Sequence, residues 1–477
     1  MARISTSDDP QQWLTRQLAA LQASPLSSRC LVLEVIHQQT YLSPPACRPL
    51  LLLLALEKND FDIRIHCTLM ADTPARRDSI AHLPATPRAF ADFAMAQAAP
   101  WLDLAQPLML KPVFVEKPWG REVWYTGIEA RGQSLIEAQG HSIPLPWLLS
   151  LFPSRLTGQA SSGELVLLKV LDPLPDAVYG DLYFEMHDQK REAYLVTAVD
   201  PVAWPDGQGA IRLGFDQHKR RQYPSDQAFR EAWLEAVDHY QTLRRQIDGQ
   251  LDEWRLAEGF GLHQPVPVAR LKHWQEQLPA AWREEELRLR HQMDSFSGLY
   301  PLRVGDVVRI PCRMPHALQH GVRTVEFQTP VYERKILSFA QKVLTQNDWD
   351  TRSVVDRVSL EAPEDLCLPV VVQGETSSAL EEVAAFDDFV VQRLQVRAGG
   401  SYHLEANRHY LLLLLIKGEV GIQAAGWSRQ LEPSTEGLHS ACLIPPLAHR
   451  LQLTAGQQDL LLLVARPVVA DQGGDCL

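Results

Sequence analysis

Cysteine is scarce in this chain of 477 residues: seven in all, Cys30, Cys47, Cys67, Cys312, Cys367, Cys442 and Cys476. The number is odd and no two form a C-x-x-C pair, which argues against a disulfide framework and a zinc ribbon and implies reduced thiols in a cytoplasmic protein. Long apolar runs are missing too. Stretches such as Leu51 to Leu56 and Leu411 to Ile416 fall far short of the roughly 20 residues that a membrane span needs, and strands buried on both faces explain them better. Met1-Ala2-Arg3-Ile4-Ser5 lacks the apolar core of a signal peptide. Positive charge is in deficit, with 46 Lys and Arg against 58 Asp and Glu, a formal net charge of −12. Neither nucleic acid nor a membrane is therefore expected as a partner, and a phosphate-bearing substrate would need a local basic pocket.

What is present, 45% hydrophobic and 22% charged residues, describes a soluble globular protein, long enough for two to four domains. Asp9-Pro10-Gln11 ahead of Trp13, Leu14 and Leu18 predicts a capped amphipathic helix, followed by strands at Cys30 to Gln38, Pro49 to Glu57 and Phe61 to Leu69 and a helix from Arg77 to Ala98. Residues 1–105 thus read as an α/β accessory unit, with His66 and Cys67 structural on an apolar strand. From Leu108 the texture changes to short strands with turn residues, Val113 to Val115, Arg121 to Tyr125, Gly132 to Glu137 and Glu164 to Leu171, the pattern of a sandwich or barrel. Residues 106–217 and 298–340 are expected to form that barrel. Between them, 218–297 reads as a helical insertion, with Phe229, Trp233, Val237, Tyr240 and Leu243 at helical spacing and a break at Pro265-Val266-Pro267. Such an insert is either a lid over the barrel mouth or a bundle with a solvated face. Residues 341–385, with Asn347-Asp348 and Pro363-Glu364-Asp365, form a connector, and 386–477 a last β-rich unit. Its Cys442 to His449 segment echoes the strand, proline turn and histidine of the barrel, but no metal triad precedes it, so His449 is taken as structural.

The chemistry concentrates in Phe184 to Val196. On a strand, Glu185 and His187 share a face, and the polar run Asp188 to Arg191 turns the chain so that Glu192 and Tyr194 return beside them. His316, after a proline-punctuated turn, offers a second imidazole. Two carboxylates and two imidazoles suit Zn²⁺ or another divalent first-row metal. The bland alternative is a charged surface hairpin with His316 capping a strand, but apolar strands surround both segments and burying two carboxylates without a cation is costly. Trp119-Gly120 reads as packing plus a tight turn, Glu116 and Glu122 as surface charges, and Lys169 as a lysine ending an apolar strand.

Glu185-x-His187-x4-Glu192 resembles the first motif of the cupin barrels, with Glu in place of the first His, and Pro311-x4-His316 resembles the second. The flanks resemble the type I mannose-6-phosphate isomerases: Lys117-Pro118-Trp119-Gly120, Leu168 to Asp172, Lys190-x-Glu192, Pro315-His316-Ala317-Leu318, and Glu326-Phe327-Gln328 leading to Arg334. The resemblance spans roughly residues 112–340 and implies a mainly β fold, a cupin (jelly-roll) barrel with a helical insertion, joined by a C-terminal cupin-like β domain. It implies a zinc-type ion held by Glu185, His187, Glu192 and His316, and a substrate that is a small sugar phosphate, mannose 6-phosphate or fructose 6-phosphate. The two would interconvert through an enediolate stabilised by Arg334. Lys190 would support proton movement or orient the substrate, and Lys169 would lie on the phosphate side. The sequence departs from the family at Glu185, where the family has Gln, at Tyr183, where it has a small hydroxyl residue, at Asp188, where it has Pro, and at Arg121, where it has a second Gly. The separation of His187 and Glu192 is also shorter. A non-catalytic carbohydrate-binding cupin, or a metal cupin with other chemistry such as an oxygenase, are the rival expectations.

Overall fold

In a computed structural model, residues 1–58, 63–130, 132–158, 165–363, 378–406, 408–424, 426–433 and 438–468 are described. The strand starts expected at Phe61 and Glu164, the connector residues Glu364 and Asp365, and Cys367 and Cys476 lie outside them. The chain is mainly β and falls into two compact units. No helix among the described residues is long and apolar enough to cross a membrane.

One unit comprises residues 1–113, 124–167 and 371–477. Its N-terminal part is a five-stranded sheet whose long hairpin, Ser28–Gln39 with Ala46–Lys58, continues into Ile63–Ala71. Val32, Leu51, Leu53 and Met70 pack with Ile80 and Phe90 of the helices. Three helices, Pro10–Ala23, Pro74–Ala81 and Pro87–Ala96, begin alike: Asp9, Thr73 and Thr86 accept a hydrogen bond from the backbone N–H three residues on, and proline takes the first helical position. A single helix from Arg77 to Ala98 is therefore corrected to two. Pro84 and Pro87 lack the N–H groups that would carry one helix across the gap. The same unit holds an eight-stranded and a four-stranded sheet that enclose an aliphatic core including Leu394, Leu413, Val420, Leu451 and Leu462. Leu108–Lys111, which the sequence groups with the first barrel, pairs instead with Ala441–Ile444 in the larger of these sheets.

The other unit comprises residues 114–123 and 168–370. Its strands are β1 Val113–Lys117, β2 Gly120–Trp124, β3 Leu167–Pro173, β4 Phe184–Met186, β5 Glu192–Val199, β6 Gly209–Phe215, β7 Ser297–Leu302, β8 Val307–Ile310, β9 His316–Leu318, β10 Val322–Gln328 and β11 Lys335–Ser338. Two sheets result, in the orders β8-β5-β10-β3-β2-β1 and β7-β6-β9-β4-β11. Helices α1 Asp226–Ala257, α2 Val268–Gln277 and α3 Ala280–Asp294 fill the insertion. The break at Pro265-Val266-Pro267 is found, and Pro279 divides the second helical part again.

Strand alternation sorts the side chains of the second sheet. Phe184, Met186, Phe215, Ala317 and Leu337 join one core with Phe229, Trp233, Val237, Tyr240 and Ile247 of α1. Tyr183, Ile211, Leu213, Leu318, Ile336 and Phe339 join another with Trp119, Tyr194, Val196 and Val308, which fills the space between the sheets. The apolar stripe of α1 thus covers the outer face of the sheet. That corrects the lid expectation: five large buried side chains anchor the insert there, and an element anchored so is not free to swing.

Gly120 places Trp119 in the inner core. Its φ is +144°, and a Cβ there would lie 2.3 Å from the Asp172 carbonyl oxygen, while Trp119 is 1% exposed. Gly120→Ala is expected to destabilise this unit by about 3 kcal/mol, read as a lowered denaturant midpoint with unchanged slope.

Candidate metal centre

The residues singled out from the sequence converge, by a route different from the hairpin expected. β4 and β5 do not pair: β4 lies between β9 and β11, and β5 between β8 and β10. The turn Asp188 to Arg191 therefore carries the chain from one sheet to the other, so that Glu185 and Glu192 face each other across the barrel. Two hydrogen bonds hold the far side of the turn, one from Arg191 N–H to the Thr329 side-chain Oγ1 (3.1 Å) and one from Thr329 N–H to the Arg191 carbonyl (3.0 Å). His316 is the direct cross-strand neighbour of Glu185, on the same face of the sheet.

Both imidazoles are fixed in one tautomer. His187 Nδ1–H donates to the Glu333 carbonyl at 2.9 Å and His316 Nδ1–H to the Met314 carbonyl at 2.9 Å. Each Nε2 is thereby left to face the barrel interior; burial lowers the His316 pKa, but Glu192 outweighs it and holds that imidazole above its ordinary value. His187 Nε2 lies 3.2 Å from Glu192 Oε1 and 3.9 Å from Glu185 Oε1, and His316 Nε2 lies 3.1 Å from Glu192 Oε2. One ligand atom each from Glu185, His187 and His316 falls within 4.8 Å of the others. His187 Nε2, His316 Nε2 and Glu185 Oε2 are buried without a hydrogen-bond partner.

These orphaned atoms fit a divalent ion. Burial, then Lys190, pushes the His187 imidazole below its ordinary pKa, so its lone pair points at a carboxylate oxygen, an arrangement that is repulsive unless a positive centre sits between them. Ligand atoms about 2.0–2.2 Å from a tetrahedral zinc stand roughly 3.4 Å apart. The 3.2 and 3.1 Å separations of the two Nε2 atoms from Glu192 are close to that spacing, and Glu185 stands wider, 3.9 Å from His187 Nε2. Acceptors of the kind that orient metal-binding histidines, here the Glu333 and Met314 carbonyls, are already in place.

Glu192 is the most constrained member. Lys190 Nζ lies 2.8 Å from its Oε1 and also donates to Gln328 Oε1 at 3.2 Å, and the Tyr194 hydroxyl donates to its Oε2 at 2.9 Å. Burial alone would raise this carboxyl; Lys190, His187 and His316 outweigh it and hold the pKa well below the usual carboxylate range. Tyr194→Phe removes one of these restraints without changing side-chain volume much. Divalent-metal affinity is expected to fall about tenfold, measured by competition against a chelating dye.

Arg334 stands just before β11. Its Nε is 3.7 Å from Glu185 Oε2, its guanidinium lies 4.8 Å from the centre of the Tyr183 ring, and Nη2–H donates to Thr345 Oγ1. Its side chain is 26% exposed, against 1% for His187, so Arg334 marks the side of the site that solvent reaches.

Lys169 sits apart, with Nζ 3.2 Å from Glu326 Oε2 and 3.6 Å from Glu122 Oε1. Burial lowers its pKa, but the charges of Glu122 and Glu326 outweigh it and hold it above the ordinary lysine value. Its charge is matched by carboxylates, which leaves no excess for a phosphate. Glu122 is corrected from a surface charge to a buried one, 6% exposed and 2.8 Å from Lys117 Nζ; Glu116 is exposed. Arg121 meets an anion within the chain, Asp172 Oδ2 at 2.8 Å.

Glu326 and Gln328, which the resemblance gives only as the approach to Arg334, line the same interior. Glu326 is the cross-strand neighbour of Tyr194 and Gln328 that of Glu192, so both face the interior. Burial, then Glu192, pushes the Glu326 carboxyl well above its ordinary range. The signal was available: in β10, Thr324, Glu326 and Gln328 alternate with Val325 and Phe327, a polar face on a strand too apolar to lie at the surface.

No family model and no curated protein matches the chain. Solved structures do. The mannose 6-phosphate isomerase of Bacillus subtilis is similar over 76% of this chain and 99% of its own, with a TM-score of 0.50 and 12% identity. The apo form of mannose 6-phosphate isomerase from Salmonella typhimurium is similar over 76% of this chain and 100% of its own, with a TM-score of 0.51 and 13% identity. At such identity the likeness is one of fold, and the cupin-type barrel expected from the sequence is the fold observed.

Proposed function

We propose that the chain is a metal-dependent aldose–ketose isomerase acting on a sugar phosphate, with mannose 6-phosphate and fructose 6-phosphate as its substrate pair. The observation that carries this reading is the pair of buried Nε2 atoms converging with Glu185 and Glu192 beneath the Arg334 guanidinium, on a fold shared with isomerases of that sugar phosphate. A divalent ion, zinc by its donor set, held by Glu185, His187, Glu192 and His316, would polarise the carbonyl and hydroxyl oxygens at C1 and C2 and make the C2 hydrogen acidic.

The chain's own groups supply the rest. Arg334 places its charge on the open side, where the substrate's enediolate oxygens gather negative charge. Lys190 holds Glu192 and presents the remaining N–H capacity of Nζ to a substrate hydroxyl. Glu326, a buried carboxyl that burial and Glu192 make a stronger base, is the group assigned to take the proton from C2 as a carboxylate and return it at C1.

A second reading is favoured by one observation. Tyr183 replaces a small hydroxyl residue, and its ring, 4% exposed, packs 4.4 Å from the centre of Phe339. That packing suits a sugar-holding barrel without turnover. A coupled assay of metal-loaded protein with mannose 6-phosphate, run beside direct binding of the same sugar, separates the two. Turnover abolished by chelation and restored by zinc supports the isomerase; binding without turnover supports the holder.

A further inference from the structure

The reaction proposed above needs a place for the phosphate, and the cations nearest the metal residues are already matched. Lys169 lies between Glu122 and Glu326, and Lys190 between Glu192 and Gln328. Arg334 faces Glu185. A different pair of guanidiniums meets the carboxylate of the residue that follows His187. Asp188 follows His187 directly, and its Oδ1 is 3.6 Å from Arg313 Nε while its Oδ2 is 3.0 Å from Arg357 Nη1. Two positive charges thus share one carboxylate, which leaves one in excess. The side chains of Arg313 and Arg357 are 54% and 47% exposed, that of Asp188 only 16%, so the acid lies beneath the two bases.

The backbone holds Arg313 in place. Its N–H donates to the His187 carbonyl at 2.6 Å, and its own carbonyl accepts from Ser359 N–H at 2.8 Å. Its φ is +66°, in the left-handed region that a residue with a Cβ occupies only where its surroundings dictate it. Far from His187 in sequence, Arg313 is one backbone hydrogen bond away from it in space. Arginine is the side chain whose planar donors match phosphate oxygens in pairs.

We propose that Arg313 and Arg357, bridged by Asp188, form the anion subsite that receives the phosphoryl group of the sugar. The assignment rests on the isomerase reading for the sugar and on the Arg313–Asp188–Arg357 geometry for the anion. Lys169 has no part in it. The metal-loaded protein, Arg313→Ala and Arg357→Ala are to be compared in two ways: turnover of fructose 6-phosphate and of fructose, and titration with inorganic phosphate followed by calorimetry. Each substitution is expected to raise KM for fructose 6-phosphate about tenfold, with kcat and the turnover of fructose little changed, and to weaken inorganic phosphate by the same factor. An unchanged KM for the phosphorylated sugar, or an equal rise for both sugars, overturns the subsite and leaves the isomerase reading standing. If the parent protein turns over neither sugar, that reading falls by itself. The phosphate titration then still decides: binding that both substitutions weaken supports the subsite, whereas no binding, or binding indifferent to both, overturns it.

Discussion

His316→Ala is expected to lose bound divalent metal and turnover together, metal affinity falling by about two orders of magnitude or more. The imidazole is 1% exposed, its Nε2 stands 3.1 Å from Glu192, and its Nδ1 is tied to the Met314 carbonyl. Without it the remaining donors are a single imidazole and two carboxylates, one of which Lys190 already draws to itself. Fold and metal can be told apart here. The inner core runs from Trp119 through Tyr194 and Leu213 to Phe339 and does not depend on His316, so the far-ultraviolet spectrum of the variant should match that of the parent. Metal content by mass spectrometry and rate by coupled assay are the two readings. Turnover that survives the loss of His316 would mean that the reacting centre lies elsewhere.

Arg334→Ala should leave the metal in place and lower kcat by about a hundredfold to a thousandfold. The side chain approaches Glu185 from the solvent side and is steadied by the Tyr183 ring and Thr345. A cation held at Glu185 engages that carboxylate, and the guanidinium is then available for the charge that develops on the substrate. Because that charge grows toward the transition state, kcat should suffer more than KM. Arg334→Lys keeps the charge but not the planar fork, so an intermediate rate is expected. Loss of metal from Arg334→Ala, or a rise in KM with kcat intact, would give the residue a structural or uniform binding role instead.

How far the sequence disclosed this arrangement depends on whether the relevant period was local. The insertion was legible because Phe229, Trp233, Val237, Tyr240 and Leu243 recur at helical spacing, and all five are buried on one stripe of α1. Glu185 and His187 were legible because a strand period of two puts both inward. What local pattern does not encode is which strands pair. A turn rich in polar residues between two short strands reads as a hairpin, yet Asp188 to Arg191 crosses between sheets, since β9 and β11 take the edges of β4 that a hairpin would have used. Ion partners far along the chain were invisible for the same reason. Glu122 looked like a surface charge because Lys117 and Lys169 meet it only after β1, β2 and β3 have assembled. The resemblance puts Lys169 on the phosphate side, and Glu326, far along the chain, meets it only in the folded barrel. Prolines act locally: Pro84 and Pro87 divide what hydrophobic spacing alone joins into one helix.

The most direct test of the central claim is crystallography of protein soaked with zinc, with data collected above and below the zinc edge. An anomalous peak about 2.0–2.2 Å from His187 Nε2 and His316 Nε2, and within reach of Glu185 and Glu192, is the expected result. A protein that takes up zinc only at other positions, with the two imidazoles hydrogen-bonded to Glu192 and no peak among them, would contradict it.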